Sequence, residues 1–583
     1  MALPFVRMPS QNEIRVLDLH PGNWYDRIAC EIRIIALESN ETYEALSYEW
    51  GENSSNHTIK NSGADRNITP NLYAALRRLR YPNTKRTLWI DQLCINQWDD
   101  DEKAEQIALM SLIYQKCDQC VIWLGEIEEN STFSTTDAQS AFDYINLSAA
   151  PGARLNTDIP VLFADSVTGR RAREAFKAIA RRRSTWWSRI WTVQEAILPK
   201  RASVLWGPLS IPWNALEDSA YNMTSHGMLP EDLLQAMAPR MEIFSDFMYC
   251  VRGLAISKNG ENPLNLIRRW RYRKATNPRD MVYGLMGLLP SNTFPSVPVY
   301  SDKIPPSELF SRVTFDLIRL EGNLRPLVGR RGEPNVTPNL PTWVLDMVQH
   351  EYRKERCWGW WFHSHRYQEF AADRNSRLIC NSLRGHTVLS LRGICKDRVF
   401  KTGDVLGEDT WDSISPRELI ATIKRWEHLY LTTRSIQGNS SDVLGGTLHD
   451  AFWKTILGDL IHREFPIRRT NVFDGLAFLS FISSGVPNET YSALREHMVN
   501  QVFFITEGGL IGIGPPTALE GDEVWILFGS RVPFVLRQRA EEEIQQRGDF
   551  HERYLIGDAY VHGIMDGEVV GDSTSIVHNV LIF

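Results

Sequence analysis

The chain has 583 residues, 43% hydrophobic and 23% charged, with a formal net charge of -7. That length exceeds what one hydrophobic core serves and predicts two or three domains of ordinary globular composition. The acidic balance argues against a general polyanion binder, since phosphate contacts dominate non-specific nucleic-acid affinity, so no nucleic-acid partner is expected.

The opening stretch "MALPFVRMPSQNEIRVLDLHPG" lacks the apolar core of a signal peptide. No run approaches the ~20 apolar residues of a membrane span. Eight cysteines are scattered along the chain without the density of a disulfide scaffold. A reduced, cytoplasmic protein is the expectation.

In chain order, "EIRVLDL" (Glu13–Leu19) and "IACEIRIIAL" (Ile28–Leu37) alternate as strands do, and "YEALSYEWG" (Tyr43–Gly51) reads as a strand ending at a glycine. "ITPNLYAALRRLRY" is a helix: Thr69 suits the N-cap, Pro70 the first turn, and Leu72, Ala75, Leu76 and Leu79 form its apolar stripe. "RTLWIDQLCINQ" opens as a buried strand and breaks into a loop at Asp91. "DDDEKAEQIALMSLIYQKC" is a second helix, with Asp99 and Glu102 at capping-box spacing. "CVIWLGE" is the next strand. Strand, helix, strand, helix, strand predicts a parallel sheet wrapped by helices.

A polar insertion follows at about 127–170, then a basic helix, "RRAREAFKAIARR", and the helical stretch "SRIWTVQEAIL" (Ser188–Leu198). "ASVLWG" is a further strand. Residues 214–322 read as helical and include "NPRDMVYGLMGLLP", and the tail is β-rich. The glycines of "GGLIGIGPP" read as a β-hairpin turn, not a phosphate loop, because prolines and no helix follow them. The expected division is 1–213, 214–325 and 326–583. Cys117 and Cys120 form a lone pair without the second pair a zinc site needs, and "HSH" at His363–His365 lacks a third ligand, so no metal is expected. The basic runs Arg181–Arg183 and Arg268–Lys274 read as solvated faces.

Three blocks carry a family resemblance: "YEALSYEWG", "LWIDQLCINQWDDDEKAEQIALMSLIYQKCDQCVIWLGE" and "RSTWWSRIWTVQEAILPKRASVLWG". They resemble the fungal heterokaryon-incompatibility (HET) domain proteins, and "NPRDMVYGLMGLLP", "FFITEGGLIGIGP" and "GDAYVHGIMDGE" extend the likeness through most of the chain. The resemblance implies a role in fungal non-self recognition, in which the HET domain triggers programmed cell death. HET domains in turn look like divergent TIR folds. "YEALSYEWG" is similar to the first TIR strand, "LWIDQLCINQ" to the second, and "CINQWDDDEK" to the mobile loop after it. The Trp-x-x-x-Glu of the TIR pattern then falls on Trp191 and Glu195, with Ser188 before it. Many TIR domains cleave NAD+ with that glutamate, so the resemblance implies Glu195 as the catalytic acid and NAD+ as the substrate, with no cofactor required. The implied fold is a TIR-like α/β domain, followed by a helical middle region and a β-rich α+β C-terminal region.

The chemistry is compatible with one carboxylate. NAD+ cleavage releases neutral nicotinamide and leaves oxocarbenium character on the ribose, as in glycoside hydrolysis. A carboxylate beside that carbon stabilises the charge or orients the ribose hydroxyls or the attacking water. Ligands of parallel α/β sheets sit at the carboxyl ends of the strands. Tyr48, Trp50, Gly51, Asp91 and Asn96 leave such ends and are candidates to line the pocket. Trp191, one helical turn from Glu195, is a candidate stacking wall, and Arg189 a candidate phosphate contact.

Each has a plain alternative. Trp191 is equally readable as core, Asp91 as a turn cap, Asn96 as a loop-shaper, Glu102 as a helix cap and Arg189 as an ion-pair partner. Glu195 is otherwise an exposed helix glutamate. The competing function is a non-enzymatic module that self-associates through the loop carrying Ile95 and Trp98. A third reading gives the residues after about 214 a regulatory role, answering an unknown protein trigger.

Overall fold

The computed structural model describes residues 12–51, 57–128, 132–150, 167–180, 185–225, 241–290, 293–294, 300, 304–329, 336–348, 367–407, 414–437, 447–461, 467–540 and 550–583. The chain divides into two compact units, Met1–Ile304 and Pro305–Phe583. His363–His365 and Arg181–Arg183 lie outside the described residues.

The first unit is built on a nine-stranded sheet. Its strands are β1 (Glu13–Leu19), β2 (Ala29–Ala36), β3 (Glu44–Tyr48), β4 (His57–Asn61), β5 (Ala64–Ile68), β6 (Arg86–Trp89), β7 (Cys120–Trp123), β8 (Ala202–Trp206) and β9 (Leu209–Pro212), in the spatial order β5-β4-β2-β1-β6-β3-β7-β8-β9. The expectation of a parallel sheet needs correction, because the sheet is mixed. β6, β3, β7 and β8 run parallel, but β1 pairs antiparallel with both β2 and β6, and β4–β5 and β8–β9 are antiparallel pairs. The reason lies in the connections. Those between β1 and β2, β4 and β5, and β8 and β9 are too short for a crossover helix, so each strand must turn back on its neighbour.

The four parallel strands follow the order second, first, third, fourth in the chain. Such an order reverses beside the first strand, β3, and opens a crevice at its carboxyl end. Helix α1 (Pro70–Leu79) covers one face. Thr69 caps it, and Leu72, Ala75, Leu76 and Leu79 pack with Leu46, Tyr48, Leu88 and Val121. The other face meets Tyr114, which stands edge-on to Trp89 with ring centroids 5.6 Å apart. Tyr114 belongs to a helix running from Asp100 to Lys116. Because side chains alternate along a strand, Leu46 and Tyr48 join the α1 face and Ser47 points to the other.

The insertion at 127–170 is less featureless than its composition suggested. Ser134 and Asp137 form a capping box for a helix at Thr135–Ala149, which buries Phe142, Tyr144 and Ile145. The run Arg268–Lys274 also needs correction. Arg268 and Arg273 are buried, and Arg273 lies 4.7 Å over the Trp270 ring and bonds the Arg189 carbonyl and the Thr192 hydroxyl. Aromatic and carbonyl partners replace the water that a solvated face would supply.

In the second unit, strands Val388–Thr402, Glu523–Leu527, Phe534–Gln538, Phe550–Asp558 and His578–Ile582 close on themselves, because the first pairs with both the second and the last. The "GGLIGIGPP" segment is a hairpin, Val502–Thr506 with Ile511–Gly514. A side chain at Gly512 would meet the Phe504 ring at 2.4 Å and the Tyr560 carbonyl at 2.7 Å, so this glycine serves close packing. Among the described residues no helix is long and apolar enough to cross a membrane, and no cluster of three metal-ligating side chains occurs. Cys117 and Cys120 are free and buried.

Candidate active site

The segment around Glu195 is not the single helical stretch its pattern predicts. A 3-10 turn at Thr185–Ser188 is followed by a six-residue helix, Thr192–Ile197, with every residue buried and Trp191 standing just before it. Glu195 is 4% exposed, so the exposed-glutamate reading does not hold. The short helix is set against β3 by side-chain contacts. Ser47 Oγ donates to Glu195 Oε2 at 2.5 Å, and Trp186 Nε1 donates to Ser47 Oγ at 2.7 Å. The Glu195 amide bonds the Trp191 carbonyl at 3.3 Å. Burial pushes the Glu195 carboxyl up to about 7. Arg189, the Ser47 hydrogen bond and Arg273 oppose that rise, and Asp91 adds to it.

The carboxyl end of β3 is tied to the end of β6. Trp50 Nε1 donates to Asp91 Oδ2 at 2.7 Å, and the Tyr48 hydroxyl donates to Gln92 Oε1 at 3.0 Å. Asp91 Oδ1 also accepts from the Gln92 amide at 2.7 Å. Burial raises the Asp91 carboxyl, while Arg189 and these hydrogen bonds draw it down. The Arg189 guanidinium donates to the Tyr48 carbonyl, so it joins Glu195, Asp91 and the end of β3 around one positive charge. Gly51 adopts φ +71°, a left-handed turn that glycine permits. Asn71 fixes that turn: its Nδ2 donates to the Glu49 carbonyl at 2.6 Å, and its Oδ1 accepts from Trp123 Nε1 at 2.9 Å.

The structure therefore gathers Glu195, Asp91, Arg189 and the backbone of Tyr48 at one end of the parallel strands. The Tyr48 ring packs in the α1-side core, and Trp50 is partly buried against that same core. Trp191 turns toward the start of a later helix, with Nε1 donating to Asp280 Oδ2 at 3.2 Å. Asn96 belongs to a different network. Its amide donates to Glu102 Oε1 at 2.9 Å, and its side-chain oxygen accepts from the Trp98 amide at 3.3 Å. Glu102 is not the returning half of a capping box. Asp99 caps the helix, while Glu102 binds buried Arg15 at 2.5 and 3.0 Å. A buried guanidinium needs a carboxylate more than a helix end needs a second cap.

Sequence reading missed Ser47, Trp186, Arg273 and Asp280. Alternation along "EALSY" was the available signal for Ser47, since it places that hydroxyl opposite the apolar Leu46 and Tyr48. Nothing local marked Arg273 or Asp280, whose partners lie about 80 to 90 positions away.

Residues 43–195 match the model of the heterokaryon incompatibility protein (HET) family, and residues 474–575 match that of the Het-6 beta-barrel domain. Heterokaryon incompatibility protein 6, OR allele, of Neurospora crassa is 25% identical, over 95% of this chain and 94% of its own length. No solved structure matches the chain. The first match covers β3 through Glu195, and the second covers three of the five strands that close on themselves. The chain thus matches the HET model in its first unit and the Het-6 beta-barrel model in its second, and is similar over nearly its whole length to a fungal heterokaryon incompatibility protein.

Proposed function

We propose that the chain acts in fungal non-self recognition and that its HET domain triggers cell death by cleaving NAD+ at Glu195. The observation that carries this reading is the buried Glu195 carboxyl, held by Ser47 at the carboxyl end of β3 and titrating near neutrality. The second-first-third-fourth order of the parallel strands is the order of a flavodoxin-like sheet and supports the TIR-like reading. Ionised, Glu195 supports the oxocarbenium ribose through its Oε1, which accepts no hydrogen bond among the described residues. Arg189 opposes its protonation, and Ser47 holds its other oxygen. Purified full-length protein should release nicotinamide from NAD+, faster as pH rises through about 7, and Glu195→Gln should lower the rate by about a hundredfold or more. Equal NAD+ depletion by wild type and variant would remove Glu195 from the reaction.

A second reading, a self-associating signalling module, is favoured by Trp98, an 87% exposed tryptophan in the loop after β6. Ile95 in that loop is 3% exposed, so charging it would damage the fold and only Trp98 is a clean probe. Cell death that survives Glu195→Gln and disappears in Trp98→Asp would select this reading.

A further inference from the structure

One helix of the second unit is apolar on every side. Residues Val472–Ser484 read "VFDGLAFLSFISS", and from Val472 to Asn488 the chain carries a single charged residue, Asp474. A helix that is apolar all round belongs in an interior. One of its sides has one: the Phe481 and Tyr491 ring centroids lie 5.4 Å apart, those of Phe478 and His449 6.5 Å, and a side chain at Gly475 would meet the Trp453 ring at 2.9 Å. The opposite side faces solvent. Phe473 is 78% exposed, Val472 76%, Leu476 59% and Leu479 44%, and Val486, just past the helix, is 64% exposed. At about 100° per residue the four helical ones fall within an arc of about 120°, so they form one stripe.

The stripe is held in place before anything docks on it. Asn471 and Asp474 form a capping box at the helix start, and Arg468 grips Asp474 at 2.7 and 3.0 Å. Docking therefore orders little that is not already ordered. The chemistry of the stripe narrows its occupant. At ~1.5 Å per residue the helix is about 20 Å long, short of the roughly 30 Å hydrocarbon core of a bilayer. A helix lying on an anionic membrane lines its polar face with lysine and arginine. Here the preceding Arg468 and Arg469 are committed to Asp474, Asp459 and Asp566. A charged partner finds no complementary charge on the stripe, whereas a second copy of it meets no like charge. The five exposed apolar side chains present on the order of 500 Å², a size at which an apolar patch on a monomer is often functional. Two copies facing each other would bury about 1,000 Å² from these side chains alone, enough for a specific, reversible interface.

We propose that the Val472–Leu479 stripe is a homodimer interface, in which two copies of the chain pack this helix against itself about a two-fold axis. Leu476, in the middle of the stripe, then meets its own counterpart. The dimer is independent of the chemistry at Glu195 and of the Trp98 loop. The test is sedimentation equilibrium of the full-length chain from about 0.1 to 100 µM, where wild type should pass from monomer to dimer with a Kd on the order of micromolar. Leu476→Glu and Leu476→Lys should each weaken association about a hundredfold, because each places like charges at the axis. Both should keep the wild-type circular dichroism and unfolding midpoint when monomeric, since the substituted side chain is exposed. An equimolar mixture of the two variants should recover the dimer, which a structural role or a different partner for the stripe would not produce. Wild type that stays monomeric at about 100 µM overturns the proposal. Monomeric wild type that floats with phosphatidylcholine vesicles, and loses them in Leu476→Glu, overturns it in favour of a lipid surface. A dimer that persists in Leu476→Glu but is lost in Trp98→Asp overturns it in favour of the loop after β6. A variant mixture that remains monomeric overturns the two-fold packing.

Discussion

At Glu195, burial acts directly on the proton. A carboxyl whose folded pKa is raised from 4.5 to about 7 binds its proton more tightly in the folded chain than in the unfolded one. Its contribution to stability is whole below pH 4.5 and is lost as pH rises through about 7, a loss of about 3 kcal/mol on the plateau above. Glu195→Gln keeps an acceptor for Ser47 without the charge. Scanning calorimetry should therefore find the variant more stable than wild type at pH 8 and nearly equal to it at pH 4.5. A wild type no less stable at pH 8 than Glu195→Gln would mean that the carboxylate is solvated.

Between elements, the crevice depends on a few cross-links. Asn71 on α1 joins the turn after β3 to the indole of Trp123 on β7. Asn71→Ala strands the buried Trp123 N–H and frees the Glu49 carbonyl, and should cost about 1–3 kcal/mol in chemical denaturation. A change within about 0.5 kcal/mol would show that water replaces the amide. In the C-terminal barrel the corresponding clasp is Glu523. Arg553 binds it at 2.7 and 3.1 Å, and Trp525 Nε1 donates to it at 2.8 Å. Arg553→Ala leaves a buried carboxylate short of its main partner and should cost about 3–5 kcal/mol. Retained stability in that variant would show that Arg398, 3.2 Å from Glu523 Oε1, and the Trp525 indole suffice for the carboxylate. The elements themselves were largely legible. Thr69 and Pro70 announce α1, and prolines after "GGLIGIG" announce a hairpin, because caps and turns act over four or five residues. Partners such as Arg15 for Glu102 were not legible, because a buried charge is matched across the fold and leaves no local trace.

For the whole molecule, the boundary of the working unit matters. The HET match ends at Glu195, yet Arg273 bolts Thr192 and the Arg189 carbonyl, and Asp280 holds Trp191. All of these lie within Met1–Ile304. A 1–304 fragment should keep any NAD+-cleaving activity, whereas a 1–213 fragment should lose it together with the near-ultraviolet dichroism of its packed tryptophans. Full activity in the shorter fragment would show that residues 273–280 only decorate the site. The sequence by itself determined the alternation of strands and helices, the turn at Gly51, the hairpin at the "GIG" glycines and the family motifs, since these are patterns of neighbours. Only the tertiary structure decided that Glu195 is buried, that Ser47, 148 positions away, is its hydrogen-bond partner, and that Arg189 stands among the acids. The physical reason is that burial and charge pairing are properties of the packed whole: a carboxyl's environment is set by whichever distant segments exclude water from it.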